Sequence, residues 1–289
     1  MTVEIEDKQI YGNTTDWLAV SAEACPDRRL LKSARECNWL NQYKIGHVGV
    51  MSASYPYEVN RNNQSGSFMM ACLGGRGEVL VDGRWIILEE GNACLLAPHV
   101  ANNIRCMEGE KWKFAWVRYE EPEGVKSIAD NRSPVRGKYA SESLERCVMG
   151  LYHELEGENG DKALEILWSE LIHRSVLKFA KPKGMDERLW RIWNDVSTDL
   201  SHPWTLGELA DIGCVSEEHL RRLCRKDLGR SPMQHLIYLR MIKAREILIS
   251  GDDKVDYVAK QVGYESGFTF SNTFKKWMGC RPSELREIC

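Results

Sequence analysis

The chain has 289 residues, 43% hydrophobic and 28% charged, with 39 Lys and Arg against 42 Asp and Glu for a net charge of −3. That length predicts about two domains with substantial cores, 23 Gly and 9 Pro exclude a collagen-like or low-complexity chain, and no stretch reaches the roughly 20 apolar residues of a membrane span. Ten cysteines form no CxxC pair and seven histidines no HxH or HxxxH pair, which predicts reduced buried thiols, no metal site, no cofactor and a cytoplasmic protein without a membrane partner.

Met1 to Asp7 is acidic and lacks the basic and apolar regions of a secretory signal. Residues before about Trp17 are read as an arm able to close over a pocket. From Phe68 to Tyr119, short runs of β-formers alternate with turns. The predicted strands are Phe68 to Leu73, Glu78 to Val81, Trp85 to Leu88, Ala93 to Leu96 and Lys113 to Tyr119, with a hairpin signal at Asp82-Gly83 and a turn at Glu90-Gly91. A compact antiparallel barrel follows. Two amphipathic helices come next, around Leu144, Val148, Leu151 and Leu155, then Ala163, Ile166, Leu167, Leu171 and Val176, split by Gly157 to Gly160. Their apolar faces suit packing on the barrel. Lys181-Pro182-Lys183-Gly184 reads as a linker.

The last ninety residues repeat themselves. At an offset of 50, Arg225 to Pro232 aligns with Lys275 to Pro282, and both copies read basic, basic, x, x, Gly, x, x, Pro. Each unit reads as two helices around a tight turn. In the first, Leu206, Leu209 and Ala210 form an apolar face, Gly213 supplies the turn, Ser216 caps, and Leu220, Leu223 and Cys224 bury the second helix. In the second, Val255, Val258, Ala259 and Val262 precede Gly263, and Phe270, Phe274 and Trp277 form the buried face. A continuous helix from Met233 to Ser250 joins them, about 27 Å long, near the roughly 34 Å between successive major-groove faces. Between Glu217 and Arg245 stand eight cations (Arg221, Arg222, Arg225, Lys226, Arg230, Arg240, Lys243, Arg245) against three anions. Such a stripe neutralises phosphates or forms a solvated helix face.

The arrangement predicts helix-turn-helix units whose second helices enter the major groove. Candidate DNA contacts in the first unit are Ser216, Glu217, Glu218, Arg221, Arg222 and Arg225, with Arg reading guanine, Glu reading cytosine, and Arg221 open to a base or a phosphate. In the second they are Gly267, Phe268, Thr269, Ser271, Asn272, Lys275 and Lys276. Asn272 suits adenine, Phe268 suits a thymine methyl or simple packing, and the lysines suit phosphates.

From about Trp204 to Cys289 the chain resembles the AraC/XylS family of bacterial transcription regulators. The resemblance is carried by Leu209-Ala210, Ser216 with Leu220-Arg221-Arg222-Leu223, Gly229-x-Ser231-Pro232, Arg240-x4-Ala244, Val262-Gly263-Tyr264, and Phe270-x3-Phe274-Lys275-Lys276-x2-Gly279-x2-Pro282-Ser283-x2-Arg286. Asn272, Phe268-Thr269 and Cys224 depart from the family's usual residues and bear on the second unit's base preference rather than the fold. Gly77-x-Val79, Gly91, Leu95-Leu96-x-Pro98 and Trp112-x3-Trp116 resemble the cupin-like sensor domain of sugar-responsive relatives.

The resemblance implies an α+β chain in three parts. These are an effector barrel with its arm at 1–140, a helical dimerisation or linker segment at 141–185, and an all-α DNA-binding domain at 186–289. It places Arg61 and Trp116 at the sugar-contacting Arg and Trp of the arabinose-responsive member, while Ile104 and Phe114 stand where that member has polar ring-bearing contacts. Tyr57 and Trp112 are further lining candidates. Asn102 stands where a metal-binding cupin carries a later His, so no catalytic or metal residue is assigned. The implied partners are double-stranded promoter DNA, a small-molecule effector, foremost a sugar, RNA polymerase in an activator, and a second copy of the chain. A cupin-type enzyme and a regulator without an effector are the alternatives.

Overall fold

A computed structural model describes residues 9–22, 33–61, 66–81, 84–98, 102–121, 127–129, 135–157, 160–180, 186–250 and 253–288. Among them, eleven strands form one curled half-barrel: β1 Gln9–Ile10, β2 Asp16–Ser21, β3 Arg35–Glu36, β4 Ile45–Ser54, β5 Glu58–Arg61, β6 Phe68–Val81, β7 Arg84–Glu89, β8 Asn92–Leu96, β9 Asn102–Cys106, β10 Lys111–Tyr119 and β11 Val135–Lys138. All pairs are antiparallel except β2 with β3.

The two strands expected at Phe68 to Leu73 and Glu78 to Val81 are one bent strand. The first half of β6 pairs with β10 and β8, and the second with β7 and β9. The bend sits at a register shift opposite Lys113 and Phe114. Gly75 there has φ +66°, and an added Cβ would collide with the Lys111 carbonyl, so only glycine lets the strand turn from one sheet to the next. Asp82 and Gly83 lie outside the described residues, but Val81 and Arg84 pair across them as a tight hairpin demands.

Strand alternation gives the sheet two apolar faces. Val48, Val50, Met69, Ala71, Ala93, Leu95, Ala115, Val117 and Tyr119 face outward and are covered by α1 (Ser141–Glu154) and α2 (Lys162–Ala180) through Leu144, Val148, Leu151, Ile172 and Val176. Met51, Ala53, Phe68, Met70, Cys72, Cys94, Leu96, Trp112, Phe114 and Trp116 face the lumen. The Lys181–Gly184 linker, with Glu158 and Asn159 between α1 and α2, falls outside the described residues.

The carboxy-terminal part is helical: α3 (Glu187–Thr198), α4 (Leu206–Ile212), α5 (Glu217–Leu228), α6 (Pro232–Ser250), α7 (Val255–Gln261), α8 (Gly267–Met278) and α9 (Pro282–Ile288). Leu189, Ile192, Trp193 and Val196 of α3 close the core of the first unit over Leu209, Ala210, Leu220, Leu223 and Cys224. Val258, Ala259, Val262, Phe270, Phe274 and Trp277 form the second core. α6 buries Leu236 in the first, and Tyr238, Met241, Ala244 and Leu248 in the second. It is therefore apolar around most of its girth, as a helix shared by two cores must be. Each fully buried Phe or Leu contributes about 2 kcal/mol, so the units are pinned to a rod about 28 Å long. Among the described residues no helix is long and apolar enough to cross a membrane.

Candidate nucleic-acid interface and barrel lumen

In the first unit, local chemistry fixes both helix starts. Thr205 and Glu208 form a reciprocal capping box, and the Thr205 backbone amide, then its hydroxyl, hold the Glu208 carboxyl down to about 2. Ser216 Oγ accepts from the His219 amide at 3.2 Å and starts α5. Gly213 sits against Ile192 of α3, where a Cβ would lie 2.7 Å from Ile192 Cδ1. On α5, Leu220, Leu223, Cys224 and Leu228 turn inward, and burial pushes the Cys224 thiol up to about 12.

Glu217, Glu218, Arg222 and Arg225 are exposed and Arg221 is half-exposed. Arg221 is paired with Glu217 at 3.1 Å and Glu218 at 3.5 Å, while Arg222 Nη2 meets His219 Nδ1 at 2.9 Å. Glu218, Arg222 and Arg225, at i, i+4 and i+7, form one outward line. The predicted contacts thus share one helix surface. Ser216 spends its hydroxyl on the cap.

The second unit repeats the geometry. Gly263, at φ +77°, makes the turn against the Arg240 guanidinium, and Ser266 Oγ caps α8 by accepting from the Thr269 amide. Phe268 is 79% exposed. Thr269, Asn272, Lys275 and Lys276 are exposed with it, and Ser271 is half-buried. Gly267 is pressed against Asp256 of α7, where an added Cβ would collide, so it serves close approach of the two helices rather than pointing outward. A Phe so exposed on an otherwise polar face is ready for a hydrophobic contact outside the chain.

The eight-cation stripe does not survive intact. Arg230 is 2% exposed and Arg245 8%. Arg240 Nε and Nη2 donate to the carbonyls of Leu200 and His202 at 2.9 and 2.7 Å, clamping α6 to the loop before α4. Arg222, Arg225, Lys226 and Lys243 remain exposed, and Arg221 half-exposed. Arg230 and Arg245 are thus buried and Arg240 is spent on loop carbonyls, so these three are not part of the exposed stripe.

Five of the six predicted lumen residues come together. Tyr57, Ile104, Trp112, Phe114 and Trp116 belong to one buried cluster; the Arg61 side chain lies outside the described residues. Trp116 Nε1 donates to His47 Nδ1 at 2.9 Å, which leaves the neutral imidazole's proton on Nε2. Added Cβ atoms at Gly49 and Gly77 would collide with the rings of Trp116 and Trp112 respectively, so glycines seat both indoles flat on the wall.

Sequence reasoning missed the rest of the ring system. Tyr11 stands 5.3 Å from Trp17 and 5.9 Å from Tyr57, and Phe114 lies 4.4 Å from Trp112 and 6.3 Å from Trp116. The arm expected before Trp17 is described from Gln9: β1 pairs with β5 and so brings Tyr11 to these rings. Met51, Met70, Cys72, Cys94 and Cys106 fill the remaining wall, and burial raises the Cys72 and Cys106 thiols. Their alternation was the available signal. An open groove of about 500 Å³ beside Thr14, Ser52, Ser54, Lys111 and Lys113 shares Ala53 and Trp112 with the lumen.

A hydrogen bond links the barrel to the helical domain. Arg136 of β11 donates to the carbonyl of Gly229, the left-handed C-cap of α5, at 3.2 Å. Arg136 is also the cross-strand partner of lumen residue Cys94.

Two family signatures match: an AraC-like ligand binding domain over residues 55–172 and a helix-turn-helix domain over residues 209–288. The chain is similar to the lactose operon transcription activator of Staphylococcus xylosus, 23% identical over 252 residues that cover 83% of this chain and 88% of that protein. It is also similar to the raffinose operon transcriptional regulatory protein RafR of Pediococcus pentosaceus, 23% identical over 238 residues covering 78% and 82%. Among solved structures, ToxT from Vibrio cholerae aligns over 83% of this chain and 96% of its own at 16% identity and TM-score 0.41.

Proposed function

The chain belongs to the AraC family of transcription regulators, with ligand-binding and DNA-binding domains, and on that premise we propose that it is an effector-controlled activator that reads promoter DNA with α5 and α8 and takes a sugar in its barrel lumen. The observation that carries the DNA half is the pair of Ser-capped helices on one rod, each with its apolar side buried and a polar, cation-bearing side free. The spacing along α6 suits successive major-groove faces.

For the effector, the run of rings from Tyr11 through Tyr57 and Phe114 to Trp112 and Trp116 supports stacking on a sugar face. Similarity to regulators of lactose and raffinose operons supports the same class. The division at 1–140, 141–185 and 186–289 belongs to this proposal, with action in the cytoplasm, contact with RNA polymerase and a homodimer. Support for the dimer comes from Leu164, Leu167 and Leu171, which lie along α2 and are 41%, 52% and 45% exposed.

An effector shifts the balance only if it binds one arrangement of the domains better than another. The Arg136 contact gives the lumen wall a route to α5: whatever moves β8 moves its partner β11, and with it the guanidinium on the helix end.

The test is selection of duplexes from a random pool by the full-length protein at moderate salt. The expected outcome is a motif of two blocks about one helical turn apart, with affinity falling steeply as salt rises. Salt-sensitive binding without enrichment, with and without a panel of mono- and disaccharides, overturns the reading of DNA by α5 and α8. In parallel, a sugar that occupies the lumen raises the unfolding temperature. No shift across the panel rejects a sugar.

A further inference from the structure

The core of the helical domain holds a ladder of rings and one guanidinium that the reading of DNA by exposed side chains does not use. Trp193 of α3 meets His235 of α6 edge-to-face at 4.5 Å, and His235 stacks on Tyr238 at 5.8 Å. Tyr238 in turn meets Trp277 of α8 at 6.2 Å. The loop after α5 inserts Arg230 against this last pair, with Cζ 3.8 Å from the Tyr238 centroid and 5.7 Å from that of Trp277. All five side chains are buried.

Their positions in the chain matter more than their number. Arg230 directly follows Gly229, which caps the first reading helix, and Trp277 is the penultimate residue of the second. The ends of both readers therefore meet at one cation. In the internal repeat the position equivalent to Arg230 is Cys280, which is also buried, so the two units are built alike there and only the first supplies a charge.

Both reading helices pack on α6. A rod fixes how far apart two units stand, but their rotation about it depends on side contacts. The hydrophobic attraction that holds the units on the rod is itself non-directional. A planar guanidinium on ring faces is directional, and desolvation strengthens the attraction.

We infer that Arg230 is a positioning residue for DNA reading: held on Tyr238 and Trp277, it sets the rotation of α5 relative to α8 and hence the base-pair spacing the protein accepts between its two blocks. This rests on the two-reader proposal above. One base pair added between the blocks turns the second by about 35° around the duplex, so a rigid joint rejects it and a loose one follows it.

The test uses full-length wild type, Arg230→Met and Arg230→Lys, first in the duplex selection and then in titrations. These use the enriched duplex and versions one base pair longer and shorter between the blocks. Wild type should lose about tenfold or more in affinity on either change, the size of a mismatched pair. Arg230→Met should enrich the same two blocks but lose less than about threefold on a spacing change, with Arg230→Lys between. Simple destabilisation lowers the folded fraction equally for every duplex and leaves the spacing ratio untouched.

If Arg230→Met keeps the full spacing penalty, the inference is overturned. Should that variant fail to fold, Trp277→Phe is held to the same expectation, since it shrinks the second face and keeps an apolar ring. A wild type that enriches a single block, or none, overturns the two-reader proposal and the inference with it. That outcome is distinct from a two-block wild type whose variants keep their spacing.

Discussion

His235 shows what one buried side chain does to the molecule's response to pH. It faces Trp193, Tyr238 and the Arg230 cation. Burial first, and then that cation, hold its imidazole well below the ordinary value. Below about pH 6.5 the unfolded chain takes up a proton that the folded chain refuses. Stability from this group is therefore intact above that pH and falls as the solution is acidified, by at most about 1.4 kcal/mol per unit. Urea unfolding at pH 7, 6 and 5 should show wild type losing stability more steeply than His235→Phe, whereas parallel curves would mean the histidine is not held neutral. The same neighbourhood shows why single residues are hard to read from sequence. Arg230, Arg240 and Arg245 look like phosphate ligands when charges are counted along the chain, yet Arg240 bonds to carbonyls about forty residues upstream. Trp112 and Trp116 were legible as lining candidates, but the glycines that receive them, Gly77 and Gly49, lie on other strands and became visible only with the register.

At the scale of elements, what was legible is what a few neighbouring residues decide. Ser216 places a helix start by cap chemistry that needs no tertiary contact, and the Gly and Pro of the repeat, Gly229, Pro232 and Gly279, stand at helix boundaries in the structure. The predicted joining helix differs from α6 only in starting at Pro232 rather than Met233. By contrast β1 to β5 and α3 carry no such local signal, because their stability comes from partners far along the chain: β4 pairs with β2 and β10, and α3 covers the core of the first unit. The single strand β6 read as two because its bend at Gly74 and Gly75 looks like a turn. Cap chemistry yields a prediction at this scale. Ser216→Ala removes the acceptor for the His219 amide and should cost about 1 kcal/mol of stability. It should also fray the start of α5 where Glu217 and Glu218 stand, weakening binding to the first block of the selected motif more than to the second. Equal losses on both blocks would mean that the cap supports the domain without shaping the reader.

At the scale of the whole molecule, the proposed homodimer puts the choice between one chain and two on the helices between the barrel and the helical domain. α2 lays Ile172 and Val176 on the barrel side and leaves Leu164, Leu167 and Leu171 outward at i, i+3 and i+7. The segment therefore has one face for each of the two roles that its sequence left open. Packing on the barrel is visible, and the outward stripe has the spacing of a helix–helix contact. Leu167, at 52% exposure, sits in its middle, so a charge there scarcely disturbs the monomer's own core while it does disturb a two-fold contact in both copies at once. Leu167→Glu should raise the dimer dissociation constant by about a hundredfold, roughly 3 kcal/mol, with sedimentation velocity reporting dimer for wild type and monomer for the variant. Because paired readers gain from effective concentration, the variant should also lose affinity for a duplex carrying the selected motif twice, while a duplex carrying it once is bound as before. A variant that stays dimeric would move the interface off α2, and a wild type that is monomeric with or without DNA would leave the two units of a single chain to provide all of the specificity.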